Sequence, residues 1–282
     1  MNTKTTIIAI IAVVAIVGVA AAVMLNNDDD KETITIQGPT TVAPYMLAVE
    51  EVYEQKYNVD LQISANGSGT GASAAINKTA DLAMLSRDLK TAEKDSGLVQ
   101  TVIGIDGIMA IINTSANVSN LTLAQLEKIF SGEYTKWNDG DLGGNDQKIV
   151  VVSREEGSGT RDGFEEALKK ADNNYSLATD AVSVASTGAV IDTVSKTAGS
   201  IGYVSIGYTD NVNAKSDVVI SKLNGVDATE DNVKNGTYSI QRNLVLATLG
   251  EATGATADLI NWILGTEGQK LLVEKGFISI SA

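Results

Sequence analysis

The chain has 282 residues, of which 44% are hydrophobic, and its 35 acidic and 21 basic residues give a formal net charge of −14. The hydrophobic fraction is enough for a sizeable core, whereas the acidic balance argues against a duplex nucleic-acid binder, which needs a basic face. Histidine and cysteine are both absent. Ser-His-Asp and Cys-His catalysis, histidine-ligated zinc or iron, disulfides and iron–sulfur clusters are therefore excluded. We expect no metal, no cofactor and no nucleic-acid partner.

The first predicted element is an uncharged apolar stretch at residues 7–25. At about 1.5 Å per residue it can cross most of a hydrocarbon core of about 30 Å. Lys4 precedes it and the aspartates at 28–30 follow it, so the positive-inside rule places the remaining chain outside the cytoplasm. The sequence thus predicts a membrane anchor or signal segment with a short acidic linker at 1–32. Cleavage at Ala20–Ala22 would instead give a secreted protein.

From Thr33 onward, short β-branched runs alternate with amphipathic segments. Strands are predicted at 33–36, 59–63, 99–112 (in two pieces), 149–152, 201–205 and 218–220. Helices are predicted at 42–57, 71–78, after a capping box at Thr122 and Gln125, and at 160–170, 258–264 and 267–274. Such alternation of strands and helices predicts an α/β fold with largely parallel sheets.

Three loops rich in Gly, Ser and Thr lie between a predicted strand and a predicted helix. They are QGPTTV at 37–42, NGSGTG at 66–71 and REEGSGTR at 154–161. A helix N-terminus offers free N–H groups and a partial positive charge, glycine allows close approach, and hydroxyls add donors. One such loop is typically an ordinary helix cap, but three in one chain, one of them with an embedded arginine, favour an anion site.

Familiar enzyme motifs do not fit these loops. The second loop has Ala72 where the dinucleotide fingerprint needs its third glycine, and the chain contains no GxxxxGK[ST] motif. Ser158 lies in the sequence EGSG, which is not the GxSxG elbow of serine hydrolases, and no histidine is available to activate it. These motifs give no support for a dehydrogenase, a nucleotide hydrolase or a serine hydrolase.

Two further polar positions adjoin apolar segments. Ser86 and Arg87 directly follow an apolar strand; Arg87 could bind a ligand or form a surface ion pair with Asp88 or Glu93. Asp106 lies within an otherwise apolar stretch, where it could be a functional carboxylate or an ordinary turn residue.

Taken together, the motifs resemble the phosphate-binding proteins that serve phosphate-importing ABC transporters, which have the type 2 periplasmic binding fold. The resemblance extends from Ile34 to Ile280. Besides the first two loops it includes Ser86-Arg87, Asp106-Gly107-Ile108, LTLAQLEKIFSGEYTKW (121–137), REEGSGTRDGF (154–164), IGYVS (201–205) and GTEGQKLLVEKGF (265–277).

The resemblance implies a two-lobed α/β fold with a ligand cleft between the lobes, following the N-terminal hydrophobic helix. Residues 33–105 would form the first part of lobe 1, 106–201 lobe 2, and 202–282 the second part of lobe 1. The phosphate-binding residues that the resemblance implies are Thr40, Thr41, Ser68, Ser86, Arg87, Arg154, Ser158, Gly159 and Thr160. We add Asp106 to them as a further candidate.

One of these positions bears on selectivity. Some relatives have an aspartate in place of Arg87 and use it to accept the proton that phosphate carries. With arginine there, another carboxylate must accept that proton if phosphate is to be distinguished from sulfate. Asp106 is our candidate because a carboxylate in an apolar stretch beside a lobe crossing needs a reason; Glu156 is the alternative.

The function implied is that of a monomeric extracytoplasmic receptor, attached to the membrane by its N-terminal segment. It would capture inorganic phosphate and deliver it to an ABC permease, without catalysis. Two alternatives remain: a receptor for another tetrahedral oxyanion such as sulfate or molybdate, and a phosphate sensor that has no permease.

Overall fold

A nine-stranded sheet connects the two lobes in the computed structural model, which describes residues 31–281. The strands are β1 Glu32–Pro39, β2 Val59–Asn66, β3 Leu82–Leu85, β4 Leu98–Asn113, β5 Asn120–Leu121, β6 Val150–Arg154, β7 Val182–Val184, β8 Ser200–Ser205, β9 Val218–Ile220, β10 Lys222–Leu223 and β11 Gln241–Leu249. The strand order is β2-β1-β3-β11-β4-β8-β6-β7, and the ninth strand, β9, pairs with β4. Strands β5 and β10 form a separate two-stranded sheet.

Helices follow most of the strands, as expected for an α/β fold. They are α1 Ala43–Tyr53, α2 Ser68–Ile76, α3 Thr91–Asp95, α4 Leu123–Ser131, α5 Gly159–Lys169, α6 Thr187–Lys196, α7 Thr209–Asn213, α8 Glu230–Lys234, α9 Gly254–Leu264 and α10 Thr266–Glu274. The capping box predicted for α4 is confirmed, since Thr122 Oγ1 accepts from Gln125 N and the Gln125 side chain accepts from Thr122 N.

Strand β4 belongs to both lobes. Its first part, 98–107, pairs antiparallel with β11, and its second part, 108–112, pairs antiparallel with β8. The two strand pieces predicted for 99–112 are therefore one continuous strand that crosses from lobe 1 to lobe 2. The parallel pairs are β1 with β2 and β3, and β6 with β7 and β8.

Each lobe has its own apolar core. In lobe 1, strands β1–β3 and β11 pack against α1, α9 and α10. In lobe 2, Phe164 of α5 stacks on Tyr203 with ring centroids 4.2 Å apart and meets Phe130 edge-on at 4.8 Å. Because Phe164 is fully buried, α5 is fixed to lobe 2, and the position of its N-terminus is fixed with it.

The position at which the chain returns from lobe 2 to lobe 1 differs from the one expected at 201–202. Strand β8 pairs with the lobe 2 part of β4, and residues 206–240 contribute Val212, Leu223, Val233 and Tyr238 to the lobe 2 core. The chain returns to lobe 1 with β11. Sequence did not reveal this because the elements between β8 and β11 are short and their apolar residues show no clear period.

Within residues 31–281, no helix is both long and apolar enough to cross a membrane. The predicted N-terminal segment at 7–25 lies outside the described residues.

Candidate functional site

The starts of α2 and α5 and the turn before α1 meet between the lobes. The Gly69 N–H, on the first turn of α2, donates to the carbonyl oxygen of Gly157 at 3.0 Å. Thr41 Oγ1 lies 2.9 Å from Thr160 Oγ1, so hydroxyls of lobe 1 and lobe 2 are within hydrogen-bonding distance. The loops that the sequence singled out are therefore brought together in one cleft.

Seven predicted residues converge in this cleft, and we call them the seven cleft residues: Thr41, Ser68, Ser86, Arg154, Ser158, Gly159 and Thr160. Lobe 1 supplies the first three, and lobe 2 supplies the others. Each of the six with a side chain is at most 1% exposed. Buried hydroxyls and a buried guanidinium need partners, so the cleft is a built polar site rather than a surface groove.

Local sequence explains how lobe 2 presents these groups. Gly157 has φ +83°, a left-handed conformation that favours glycine, and it turns the chain between β6 and α5. Ser158 caps α5, its Oγ accepting from Arg161 N at 3.3 Å. The Ser158 hydroxyl can still donate to a ligand, and the first N–H groups of α5 carry the positive end of the helix dipole.

Gly159 of lobe 2 packs closely against Ser68 and Ser86 of lobe 1. A Cβ placed on it would lie 2.6 Å from Ser86 Oγ, 3.1 Å from Ser68 Cβ and closer still to Ser68 Oγ. Ser68 and Ser86 are joined as well, because Ser86 N donates to Ser68 Oγ at 3.1 Å. Glycine is thus required at 159 for the lobes to meet as they do.

Arg154, at the end of β6, supplies the positive charge of the cleft. Its Nη1 donates to Thr187 Oγ1 at 3.2 Å, and its Nε and Nη2 each donate to the Glu155 carboxylate at 2.8 Å. The guanidinium is 1% exposed, whereas the Glu155 side chain is 30% exposed. Arg154 is therefore held at the inner end of the cleft by a partner nearer to solvent.

Arg87 lies in a cluster of ion pairs. Its Nη1 and Nη2 each donate to the Glu93 carboxylate at 2.8 Å, and its Nε lies 2.8 Å from Asp162 Oδ2. Burial alone would lower the pKa of Arg87, but Glu93 and Asp162 hold it above its ordinary value. The ion pair with Glu93 is present, but it is largely buried rather than on the surface as expected, since the two side chains are 7% and 14% exposed. Direct contact of Arg87 with an anion stays a prediction.

Asp106 is fully buried in β4, so the turn alternative is wrong. Its Oδ1 accepts from Ser205 Oγ at 2.7 Å, and its Oδ2 accepts from Arg242 Nε at 2.9 Å and Nη2 at 2.7 Å. Burial raises the pKa of Asp106, and Arg242 and Ser205 oppose that rise. Both oxygens are engaged, so the proposed role as proton acceptor stays a prediction. Glu156, the alternative acceptor, is exposed.

Comparisons with known proteins find relatives over most of the chain. A family model described as PBP superfamily domain matches residues 26–267. The phosphate-binding protein PstS of Borreliella burgdorferi is 30% identical over 260 residues, which cover 90% of this chain and 92% of its own. PstS of Bacillus subtilis is 31% identical over 258 residues, covering 88% and 81%. The chain belongs to the phosphate-binding protein family.

A solved structure of this family supports the fold in detail. A proposed phosphate ABC transporter substrate-binding protein from Clostridium perfringens, solved with bound phosphate, superposes with a TM-score of 0.81 at 34% identity. The match covers 89% of this chain and all of the other. The two-lobed α/β architecture expected from the sequence is thereby confirmed.

The sequence did not indicate two further residues that lie at the cleft. Thr187, at the start of α6, is buried, and its Oγ1 lies 3.3 Å from Thr40 Oγ1. Tyr208 donates from its hydroxyl to the Thr40 carbonyl oxygen at 2.6 Å. The triplet Ser186-Thr187-Gly188 follows β7 and opens a helix, which is the same signal as the three loops. It went unrecognised because β7 is only three residues long.

The donor set determines what the cleft can bind. Hydroxyls, helix N–H groups and a guanidinium all donate to a negatively charged oxygen, and none of the seven cleft residues carries a carboxylate. Such a set suits a small tetrahedral oxyanion. Within residues 31–281, no cluster of three or more carboxylates is arranged to hold a metal ion.

Proposed function

We propose that this protein captures inorganic phosphate between its lobes outside the cytoplasm and delivers it to an ABC permease, without catalysis. The observation that carries the proposal is the convergence of buried donors from both lobes on one point. A buried anion needs a donor for nearly every lone pair, and charge-assisted hydrogen bonds supply the compensation. The names of the relatives and the phosphate bound in the Clostridium structure support the same ligand.

In this proposal the seven cleft residues contact the anion directly. Thr40, Arg87 and Asp106 would support them through contacts with other residues: Thr40 Oγ1 lies 3.3 Å from Thr187 Oγ1, Arg87 donates to Glu93, and Asp106 accepts from Arg242. Closure of the two lobes around the ligand then follows the usual hinge mechanism of two-lobed binding proteins, with β4, β8 and β11 near the crossings. The acidic surface would slow phosphate modestly, and chiefly at low salt.

A calorimetric titration of the full-length chain, first freed of bound anion, tests this function. We expect phosphate to bind and to raise the unfolding temperature, since ligand at 1,000 times its Kd adds about 4 kcal/mol to stability. Failure of millimolar phosphate to bind or to raise the melting temperature would contradict the proposal.

Sulfate and molybdate belong in the same titration. Because the carboxylates of Glu155 and Asp106 are both engaged by arginines, a site made only of donors could accept sulfate as well. Equal affinity for sulfate and phosphate would support the alternative of a general oxyanion receptor. Phosphate binding without co-purification of a permease would favour the sensor.

For location, we propose that residues 7–25 anchor the protein to the membrane as a monomer. The support is the length of the apolar stretch and the order of the charges around it. Intact-mass measurement of the protein recovered from native membranes should show the uncleaved N-terminus. A mass that begins after Ala22 in a secreted fraction would contradict the anchor.

A further inference from the structure

An ion-pair cluster crosses the cleft beside the seven cleft residues. Asp162, on the first turn of α5 in lobe 2, places its Oδ2 2.8 Å from Arg87 Nε and 2.9 Å from Lys90 Nζ, both in lobe 1. The contact between Arg87 and Asp162 is close enough for an ion pair but does not have the geometry of a hydrogen bond. These three residues therefore join the lobes without belonging to the donor set.

The lobe 1 half of this cluster is held in place independently of lobe 2. Glu93 receives two hydrogen bonds from the Arg87 guanidinium and a third from the Lys90 N–H at 2.8 Å. These bonds hold the pKa of the Glu93 carboxyl below its ordinary value, against the opposing effect of burial. Because the side chain of Arg87 is only 7% exposed, its Nε is presented to lobe 2 in a fixed position.

The lobe 2 half moves with the anion-binding helix. Asp162 lies two residues after Thr160 on α5, and Phe164 fixes α5 in the lobe 2 core. The motion that brings Thr160 to Thr41 therefore also brings Asp162 to Arg87 and Lys90. With the lobes apart these charges would be solvated separately, so their attraction would act mainly on the closed form.

We propose that Asp162 is a positioning residue for anion capture, acting through Arg87 and Lys90 to hold the lobes closed and slow the release of phosphate. This inference rests on the proposed function. It also gives Arg87 a role that needs no contact with the ligand. The partial exposure of Asp162, 27% of its side chain, limits the effect compared with a fully buried pair.

Asp162→Asn in the full-length chain tests the proposal. We expect phosphate affinity to fall about five- to tenfold, mostly through faster dissociation in stopped-flow displacement, because the affected contact exists in the closed form. Added salt should weaken phosphate binding less in Asp162→Asn than in the wild type, since the screened pair is gone. Asp162→Glu should restore part of the loss.

Glu166→Gln is the matched control, because Glu166 is an exposed carboxylate one turn further along α5. Removing a negative charge near the cleft should by itself leave anion binding unchanged or slightly better. Weaker binding in Asp162→Asn but not in Glu166→Gln therefore identifies the ion pair rather than the general field. Without phosphate, Asp162→Asn should unfold at the wild-type temperature.

Three results would overturn the proposal. Wild-type affinity and salt dependence in Asp162→Asn would show that the cluster does not hold the lobes, while the proposed function would stand. A large loss of stability without phosphate would make Asp162 a merely structural residue. Absence of phosphate binding in the wild-type chain would remove the proposed function, and this inference with it.

Discussion

Replacing Gly159 by alanine is expected to lower phosphate affinity by at least about a hundredfold while leaving each lobe folded. The added methyl would overlap Ser68 Oγ and lie 2.6 Å from Ser86 Oγ. Rotating the Ser68 hydroxyl away would still leave Ser68 Cβ 3.1 Å from the new methyl, tighter than an ordinary van der Waals contact. The lobes would have to stay apart by roughly the width of that overlap, too far for donors of both lobes to reach one anion.

The size of this effect follows from what incomplete closure removes. A hydrogen bond to a charged group is worth about 1.5–3 kcal/mol, and each 1.4 kcal/mol is tenfold in affinity. Losing two such bonds therefore costs about a hundredfold or more. The helix itself should tolerate the change, since Gly159 is not among the glycines with positive φ and alanine favours helix over glycine.

Gly188→Ala provides the matched control. Gly188 lies in the first turn of α6, and a Cβ placed there would meet nothing within 4 Å. Calorimetric titration with phosphate should give wild-type affinity for Gly188→Ala and greatly weakened binding for Gly159→Ala, with similar unfolding temperatures before phosphate is added. Wild-type affinity in Gly159→Ala would mean that the lobes do not close as the structure shows.

The convergence of the predicted loops was largely predictable because its signals are local. A Gly/Ser/Thr loop at a strand–helix junction can be recognised within six to eight residues, and six of the seven cleft residues lie in such loops, while Ser86 directly follows an apolar strand. Their convergence follows from the fold, since parallel strands bring the starts of the following helices to one edge. Thr187 carried the same signal and was missed only because its strand is short and exposed.

The unpredicted features depend on partners far away in sequence. Arg87 and Asp162 are 75 positions apart, and Arg242 and Asp106 are 136 apart; no periodicity indicates such pairs. Strand β11 was missed altogether, although it is the central strand between β3 and β4. Its antiparallel register is what places Arg242 opposite Asp106, and register between distant strands is decided by packing rather than by local pattern.

Asp106→Asn is expected to lower the free energy of unfolding by about 3–5 kcal/mol, the cost of leaving a buried charge without its partner. The Arg242 side chain is 4% exposed and that of Asp106 is not exposed at all. Among residues 31–281, Arg242 Nη1 has no hydrogen-bond partner, so Asp106 is the main compensation for this guanidinium. An asparagine is neutral, so it leaves the guanidinium charge uncompensated.

Chemical unfolding of the full-length chain without phosphate measures this loss, and Arg242→Met added to Asp106→Asn is its internal check. Removing the stranded charge should recover much of the stability, because an apolar side chain of similar length fits a buried position at little cost. A loss below about 1 kcal/mol in Asp106→Asn would show that the pair is well solvated despite its burial.

The same variant decides the role of Asp106 in selectivity. If Asp106 accepts the phosphate proton, the ratio of phosphate affinity to sulfate affinity must be lower in Asp106→Asn than in the wild type. If Asp106 only holds Arg242 at the crossing of the lobes, the affinities for phosphate and for sulfate should weaken together.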